Sequence, residues 1–247
     1  MVNLQELGEE PYASIICYPR SGKDEVKKRI NELQKLSVEA VEFHGHKLAF
    51  NLPVLGKGYV GIVTIAYVKG KKVALKIRRV DADRSSMQHE AEMLKAANSV
   101  DVGPMFLDAS KNFLLMQFIE GDLLPAWLEK DPMKEKLQKV LREILEQCWR
   151  LDKAGLDHGE LSHAPKHIII AKKSKPFIVD FETASIDRRP SNVTSICQFL
   201  FFSRFLTQLM FEKVGEKNQR AIIETLREYK TCRNRENFNE IIKVCSL

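Results

Sequence analysis

Residues 56–76 read GKGYVGIVTIAYVKGKKVALK, and the interpretation of this stretch decides the fold. Gly56, Gly58 and Gly61 have the spacing G-x-G-x-x-G, which two phosphate-binding architectures share. The residues after the third glycine separate them. A dinucleotide site opens a helix there. Here the chain continues IVTIAYV, rich in β-branched residues, which predicts a strand. A glycine-rich hairpin fits instead, its glycines letting backbone N–H groups come close to an anion. After a turn at Lys69–Gly70 comes Val73-Ala-Leu-Lys76. Strand alternation puts Ala74 and Lys76 on one face, which makes Lys76 a candidate to hold α- and β-phosphates.

Such a lysine needs a carboxylate to fix it. The next helical segment, QHEAEMLKAAN, offers Glu90 and Glu92. Met87, Ala91 and Leu94 define its apolar face by i, i+4, i+7 spacing. Glu90 lies on the edge of that face and Glu92 points away, so Glu90 is the expected partner.

Around this centre the pattern predicts strands at 47–55, 60–68 and 72–78, a helix at 84–98, and strands at 105–107 and 113–119. Beyond Gly121 the chain turns helical, with helices at 133–154, 193–214, 218–229 and 236–244 and short strands at 168–171 and 177–180. Upstream, residues 13–18 read as a strand. Residues 22–40 read as a helix with Val26, Ile30, Leu33 and Leu36 at helical spacing and Ser21 as N-cap. The RSGK at 20–23 is no phosphate loop, because the pattern requires glycine where Cys17 stands. Trp127, Trp149 and the Phe-rich run 199–211 read as core. The organisation expected is a βα extension at 1–45, a sheet-rich lobe with hinge at 46–120, and a helical lobe at 121–247.

Two further stretches complete a set: HGEL at 158–161 and VDFE at 179–182. Together with the glycine hairpin, VALK, Glu90 and LLMQFIEG (114–121), they stand in the order found in the protein kinase superfamily. Residues 46–210 resemble that superfamily. HGELS resembles the HGDLS of RIO-type and other small archaeal atypical kinases, as does the short stretch between Asp180 and the helix near Val193. The implied fold class is α+β: a two-lobed kinase-like fold with a small antiparallel-sheet N-lobe carrying one helix and a mostly helical C-lobe.

The resemblance implies site roles. Gly56, Gly58, Gly61 and Lys76 would bind ATP. Met116 would be the gatekeeper, and the backbones of Gln117 and Ile119 would face adenine. Glu160 stands where the family's proton-accepting Asp is expected, and the added methylene moves its oxygens by roughly 1 Å. The metal-binding Asn expected five residues later is replaced by Pro165. The loop gains two residues and puts His167 in the Asn place, just before the apolar run Ile168–Ile170. Asp180, following an apolar strand and preceding Phe181, would hold Mg²⁺. Glu182 replaces the glycine of the family motif, and His158 would bond the loop backbone. The function implied is transfer of the ATP γ-phosphate to a hydroxyl, as in a Ser/Thr protein kinase. Two other readings stay open: a nucleotide-binding pseudokinase acting as a regulatory or assembly module, and an ATPase or small-molecule kinase of the same fold.

Bulk properties agree with a globular domain. The net charge is +6, and a pI near 9.0 leaves room for an anionic partner such as an RNA-linked one. The five cysteines are scattered without a C-x-x-C, which argues for a reducing compartment rather than a disulfide framework. The acidic, h-region-free start predicts no signal peptide, and Ile196–Phe211 is too polar for a membrane span. A cytoplasmic, membrane-independent protein is expected.

Overall fold

A computed structural model describes residues 1–20, 22–203, 206 and 218–247. The chain divides into two compact units. The first comprises residues 1–95 and 104–118, the second residues 96–103 and 119–247.

The first unit is built on a seven-stranded antiparallel sheet. Its strands are β1 (Val2–Asn3), β2 (Val38–Glu42), β5 (Gly56–Lys57), β6 (Gly61–Val68), β7 (Lys71–Arg78), β8 (Phe106–Ala109) and β9 (Phe113–Gln117). They run in the order β1-β2-β6-β7-β9-β8, with β5 pairing β6 beside β2. A two-stranded ribbon, β3 (Lys47–Ala49) and β4 (Leu52–Val54), precedes the glycine hairpin. Three helices accompany the sheet: α1 (Tyr12–Ile16), α2 (Lys23–Lys35) and α3 (Gln88–Asn98).

Register sorts the two faces of the sheet. Lys76 pairs with Val63 on one side and Leu114 on the other, and Ala74 pairs with Ile65 and Met116. These residues therefore share one face, since directly opposed antiparallel residues point the same way. The opposite face carries Ile62, Ala66, Val73, Leu75, Ile77, Phe113 and Leu115. It packs with Leu7, Ile15, Ile16, Leu33 and Leu36 in one buried cluster. The N-terminal helices thus cover the back of the sheet and leave the Lys76 face to the site.

Three local expectations are corrected here. Residues 13–18, read as a strand, form α1 and the turn after it. The apolar run ASIIC serves a short helix as well as a strand, and α1 packs its Ile15 and Ile16 onto the sheet. The predicted helix 22–40 ends at Lys35. Ser37 adopts a left-handed φ of 58°, and the β-branched Val38 and Val41 then enter the sheet as β2. The predicted strand 47–55 is broken by Phe50 and Asn51, both at positive φ, which turn β3 back into β4. Ser21 and residues 204, 205 and 207–217 lie outside the described residues, so the expected N-cap and the end of the 193–214 helix do too. Trp127, Phe199 and Phe201 are buried, as expected of core, whereas Trp149 is half-buried with Arg235 over its ring at 4.8 Å.

Arg29 of α2 fixes the N-terminal helices to the sheet. It is fully buried and donates to the carbonyls of Ile16 (2.7 Å) and Arg78 (2.6 Å), to Asn112 Oδ1 (3.1 Å) and to Glu25 Oε1 (2.9 Å). Glu32, one turn further on, accepts from the Asn112 backbone N–H (3.0 Å) and from its side chain (2.6 Å).

The second unit is mainly helical. Its elements are β10 (Gly121–Leu123), α4 (Leu124–Glu129), α5 (Lys134–Lys153), β11 (Ile168–Ala171), β12 (Pro176–Ile178), α6 (Asn192–Phe202), α7 (Gln219–Thr231) and α8 (Arg235–Val244). The three strands form a small antiparallel sheet, β10-β11-β12, of which the sequence pattern predicts only β11 and β12. The long amphipathic α5 buries Leu137, Leu141, Ile144, Leu145, Cys148 and Leu151 along one stripe. All five cysteines carry free thiols. Among the described residues no helix is long and apolar enough to cross a membrane.

Two outcomes are expected of the Arg29 network. Arg29→Ala strips a buried cation from four acceptors and should lower unfolding free energy by about 3–5 kcal/mol, read by urea denaturation. Its partner Glu25 has its pKa lowered, chiefly by the hydrogen bond from Arg29. A lowered folded-state pKa gives stability present above the usual carboxylate range and lost as pH falls through it. Wild type and Glu25→Gln should therefore differ at neutral pH and converge in acid. A gap that stays constant with pH would show that Glu25 contributes nothing by its charge.

Candidate functional site

The candidate residues fall into one set in each unit. In the first, β7 carries Lys76 and α3 carries Glu90. Their side chains meet at 2.8 Å, each residue about 4% exposed. Glu92, on the outer side of the same helix, is exposed and accepts from Gln88. Removing an ammonium and a carboxylate from water costs several kcal/mol per ion and is only partly repaid by their attraction. A buried pair of this kind is weak as a stability device and strong as a fixed positive charge held on a sheet.

The glycine hairpin lies directly beside this lysine. Gly58 N–H donates to the Gly61 carbonyl (2.9 Å), closing the turn, and Tyr59 at its tip is exposed. Only one of the three glycines is required by close packing. A Cβ on Gly61 would lie 2.8 Å from the Ile77 carbonyl oxygen and 3.3 Å from Lys76 Cγ. A Cβ on Gly56 or Gly58 would meet nothing closer than ordinary contact.

Met116 is half-buried on the Lys76 face, opposite Ala74. The Gln117 N–H donates to the Met105 carbonyl (2.8 Å), and its side-chain oxygen accepts from Met105 N–H (3.2 Å), so its donor is committed to the sheet. Ile119 comes after the end of β9, in the second unit.

In the second unit the loop 157–167 and the segment 179–185 are laced together. Asp157 and Ser185 exchange backbone hydrogen bonds (2.9 and 2.8 Å), and Thr183 Oγ1 donates to the His158 carbonyl (3.0 Å). Gly159 sits between them at φ +89°, where a Cβ would come within 3.0 Å of Thr183 and 2.7 Å of Arg188. Val179 engages both histidines: its N–H donates to the His167 carbonyl (2.9 Å), and its carbonyl lies 3.1 Å from His158 Nε2. That contact makes Nε2 the protonated nitrogen of His158. Burial, reinforced by the neighbouring His167, pushes the His158 pKa down to about 4, so the ring stays neutral.

Glu160, His167 and Asp180 come together. His167 Nε2 lies 2.9 Å from Glu160 Oε2, and His167 Nδ1 lies 3.9 Å from Asp180 Oδ2. One donor atom from each of the three lies within 4.8 Å of the others. His167 is almost wholly buried, and neither of its ring nitrogens makes an aligned hydrogen bond despite the short approach to Glu160. Burial lowers the His167 pKa, with Asp180 pulling the other way. A neutral, buried imidazole with no aligned bond, flanked by two carboxylates, is a donor set that fits a divalent cation. Asp180 has a left-handed φ of 71°, a conformation that costs an Asp roughly 1 kcal/mol and recurs at functional positions.

Two residues that hold this loop escape a reading of the sequence. Asp152, at the end of α5, accepts from Asn192 N–H and Asn192 Nδ2 (both 2.8 Å), from Val193 N–H (3.3 Å) and from Tyr229 OH (3.0 Å). Asn192 in turn accepts from the His158 N–H (2.8 Å) and donates to the Leu156 carbonyl (2.7 Å). A signal existed: Asp152 lies four residues after Cys148 on the apolar stripe of α5, where a carboxylate must be satisfied by partners. Asn192→Ala should remove one donor from the buried Asp152, strip the His158 N–H and the Leu156 carbonyl of their side-chain partner, and lower stability by about 2–3 kcal/mol. Thermal melting reads the loss, and a change under about 0.5 kcal/mol, the level of an ordinary surface substitution, would contradict the network.

A family model for the RIO domain matches residues 64–195. The KEOPS complex subunit Bud32 of Pyrococcus abyssi is 33% identical over 119 residues, which cover 47% of this chain and 50% of that protein. An uncharacterized protein of Methanocaldococcus jannaschii is 30% identical over 117 residues, 47% of this chain and 98% of that protein. The chain thus spans half the length of the Bud32 relative.

Proposed function

The chain belongs to the RIO domain family of atypical kinases, and from that premise we propose that it is an ATP-dependent phosphotransferase moving the γ-phosphate to a hydroxyl, most specifically as a Ser/Thr protein kinase. The observation that carries this reading is the Lys76–Glu90 pair, buried at 2.8 Å beside the glycine hairpin. A lysine so held is a fixed cation for α- and β-phosphates. Gly56, Gly58 and Gly61 are assigned to the same nucleotide as the hairpin whose bare backbone lets phosphates approach, although the Gly58 N–H itself closes the turn; Met116, Gln117 and Ile119 are assigned to its base.

Asp180 and His167 would hold a divalent cation, which would supply neutralisation of phosphate charge. A nitrogen donor tilts preference from Mg²⁺ toward softer ions such as Mn²⁺. Glu160 accepts the hydroxyl proton. Its side chain lies against His167 at 2.9 Å. His158 stays neutral and positions the loop through Val179. Because one relative is a KEOPS complex subunit, the protein is inferred to work within a multiprotein assembly in the cytoplasm, with an RNA-linked partner in keeping with its basic charge.

A pseudokinase reading is favoured by one observation: Glu160 approaches His167 closely enough to be a ligand rather than a free base. Two measurements decide. Mg·ATP or Mn·ATP should raise the melting temperature, and Lys76→Ala or Asp180→Ala should abolish the rise. No nucleotide effect at all would sink both readings. With γ-labelled ATP, Glu160→Gln should lose about 10²-fold or more of the transfer rate. Nucleotide binding without any transfer by wild type would leave the regulatory module.

A further inference from the structure

The second unit contains a concave site at the turn of the β11–β12 hairpin, the opposite end from His167 and Asp180. A cavity of about 340 Å³ opens between one face of α5 and the hairpin joining β11 to β12. Lys136, Lys139, Glu143, Lys173, Ser174, Lys175 and Pro176 line it. Lys136, Lys139 and Glu143 recur at i, i+3 and i+7, so a single helical face supplies that wall. The opposite wall is the hairpin turn, where Lys173 and Ser174 both adopt φ of 58°. Two consecutive left-handed residues without glycine are a disfavoured conformation that the turn maintains.

The walls are fixed to one another. Gln147, one turn beyond Glu143 on α5, is buried and donates to the Pro176 carbonyl at 2.8 Å. The cleft is therefore preformed.

Its charge is uncompensated. Four lysines and a single carboxylate line the cleft, with Glu143 engaged by Arg150 at 3.1 Å and the Lys175 ammonium lying over the Phe177 ring at 4.9 Å. Among the described residues none of the four lysines makes an ion pair. Their neighbour Lys172 does, with Glu120 at 2.6 Å, so the hairpin could have been neutralised by partners but is not within the cleft. Like charges converging on one concavity repel unless an anion sits among them. Lysine heads and the Ser174 hydroxyl are the donors that suit phosphate oxygens.

We propose that this cleft binds a compact polyphosphate anion, one carrying two or more phosphates, at a site separate from the phosphotransfer residues. Its volume matches the low end of small-molecule sites, and a short concavity suits a compact ligand better than the groove a polymer backbone needs. The inference does not depend on phosphotransfer.

The test uses inorganic tripolyphosphate as probe, titrated calorimetrically at low salt into Lys76→Ala protein, so that a nucleotide site cannot account for binding. A saturable one-to-one site should appear. Adding Lys139→Glu with Lys173→Glu should weaken it about tenfold or more, the loss of two charge-assisted contacts, without lowering the melting temperature. Should that variant fold poorly, Lys139→Gln with Lys173→Gln gives the same readout. No binding, or binding indifferent to these substitutions, would overturn the proposal. So would tighter, substitution-sensitive binding of an oligouridylate than of tripolyphosphate, which would make the cleft part of a nucleic-acid surface.

Discussion

The second unit depends on one buried carboxylate. Asp152 collects four donors from the start of α6 and from α7. Burial, its largest influence, raises its pKa, and the donors from Asn192, Val193 and Tyr229 oppose that rise. Through Asn192 the same interaction reaches the backbone on both sides of Asp157, at Leu156 and His158. The loop bearing Glu160 is consequently positioned by helix packing beneath it rather than by its own turn residues. That arrangement tolerates an altered loop sequence, because the anchor points lie at its root.

Above that anchor, burial sets the chemistry. His158 and His167 sit 5.4 Å apart in an edge-on arrangement, and Phe181 closes over His158. Excluding water keeps both imidazoles neutral, so His158 can act as a rigid strut and His167 as an electron-pair donor. The left-handed Asp180 next to them is strain held by its surroundings. In the first unit the corresponding device is the Lys76–Glu90 pair, with Gly61 leaving the space that the lysine stem occupies.

Much of this is legible from residue order alone. The strand after Gly61, the alternation through Ala74 and Lys76, and the choice of Glu90 over Glu92 all rest on local periodicity, which sequence carries directly. Ile168 to Ala171 is readable for the same reason. Misreadings arise where periodicity is silent. Val38 and Val41 continue the apolar spacing of α2, and only the left-handed Ser37 separates helix from strand. The bonds of Asp152 and Asn192 span 34 to 77 residues of sequence, and Arg29 reaches Arg78 and Asn112 across 49 and 83, so nothing local announces those partners. The proximity of Glu160 to His167 depends on a loop whose two added residues no periodic rule describes.

The Arg29 staple also bears on where the domain begins. The family match starts at residue 64, inside β6, yet β2 and β5 pair with that strand, and α1 and α2 supply apolar cover to the sheet. The inherited module and the folding unit therefore have different borders. The segment preceding the match packs as part of the sheet's own core, its α1 and α2 residues in one buried cluster with the back face of β7. The strand that carries Lys76 is thus held from behind by residues that lie outside the match, Leu33 in one cluster with Leu75 and Arg29 on the Arg78 carbonyl.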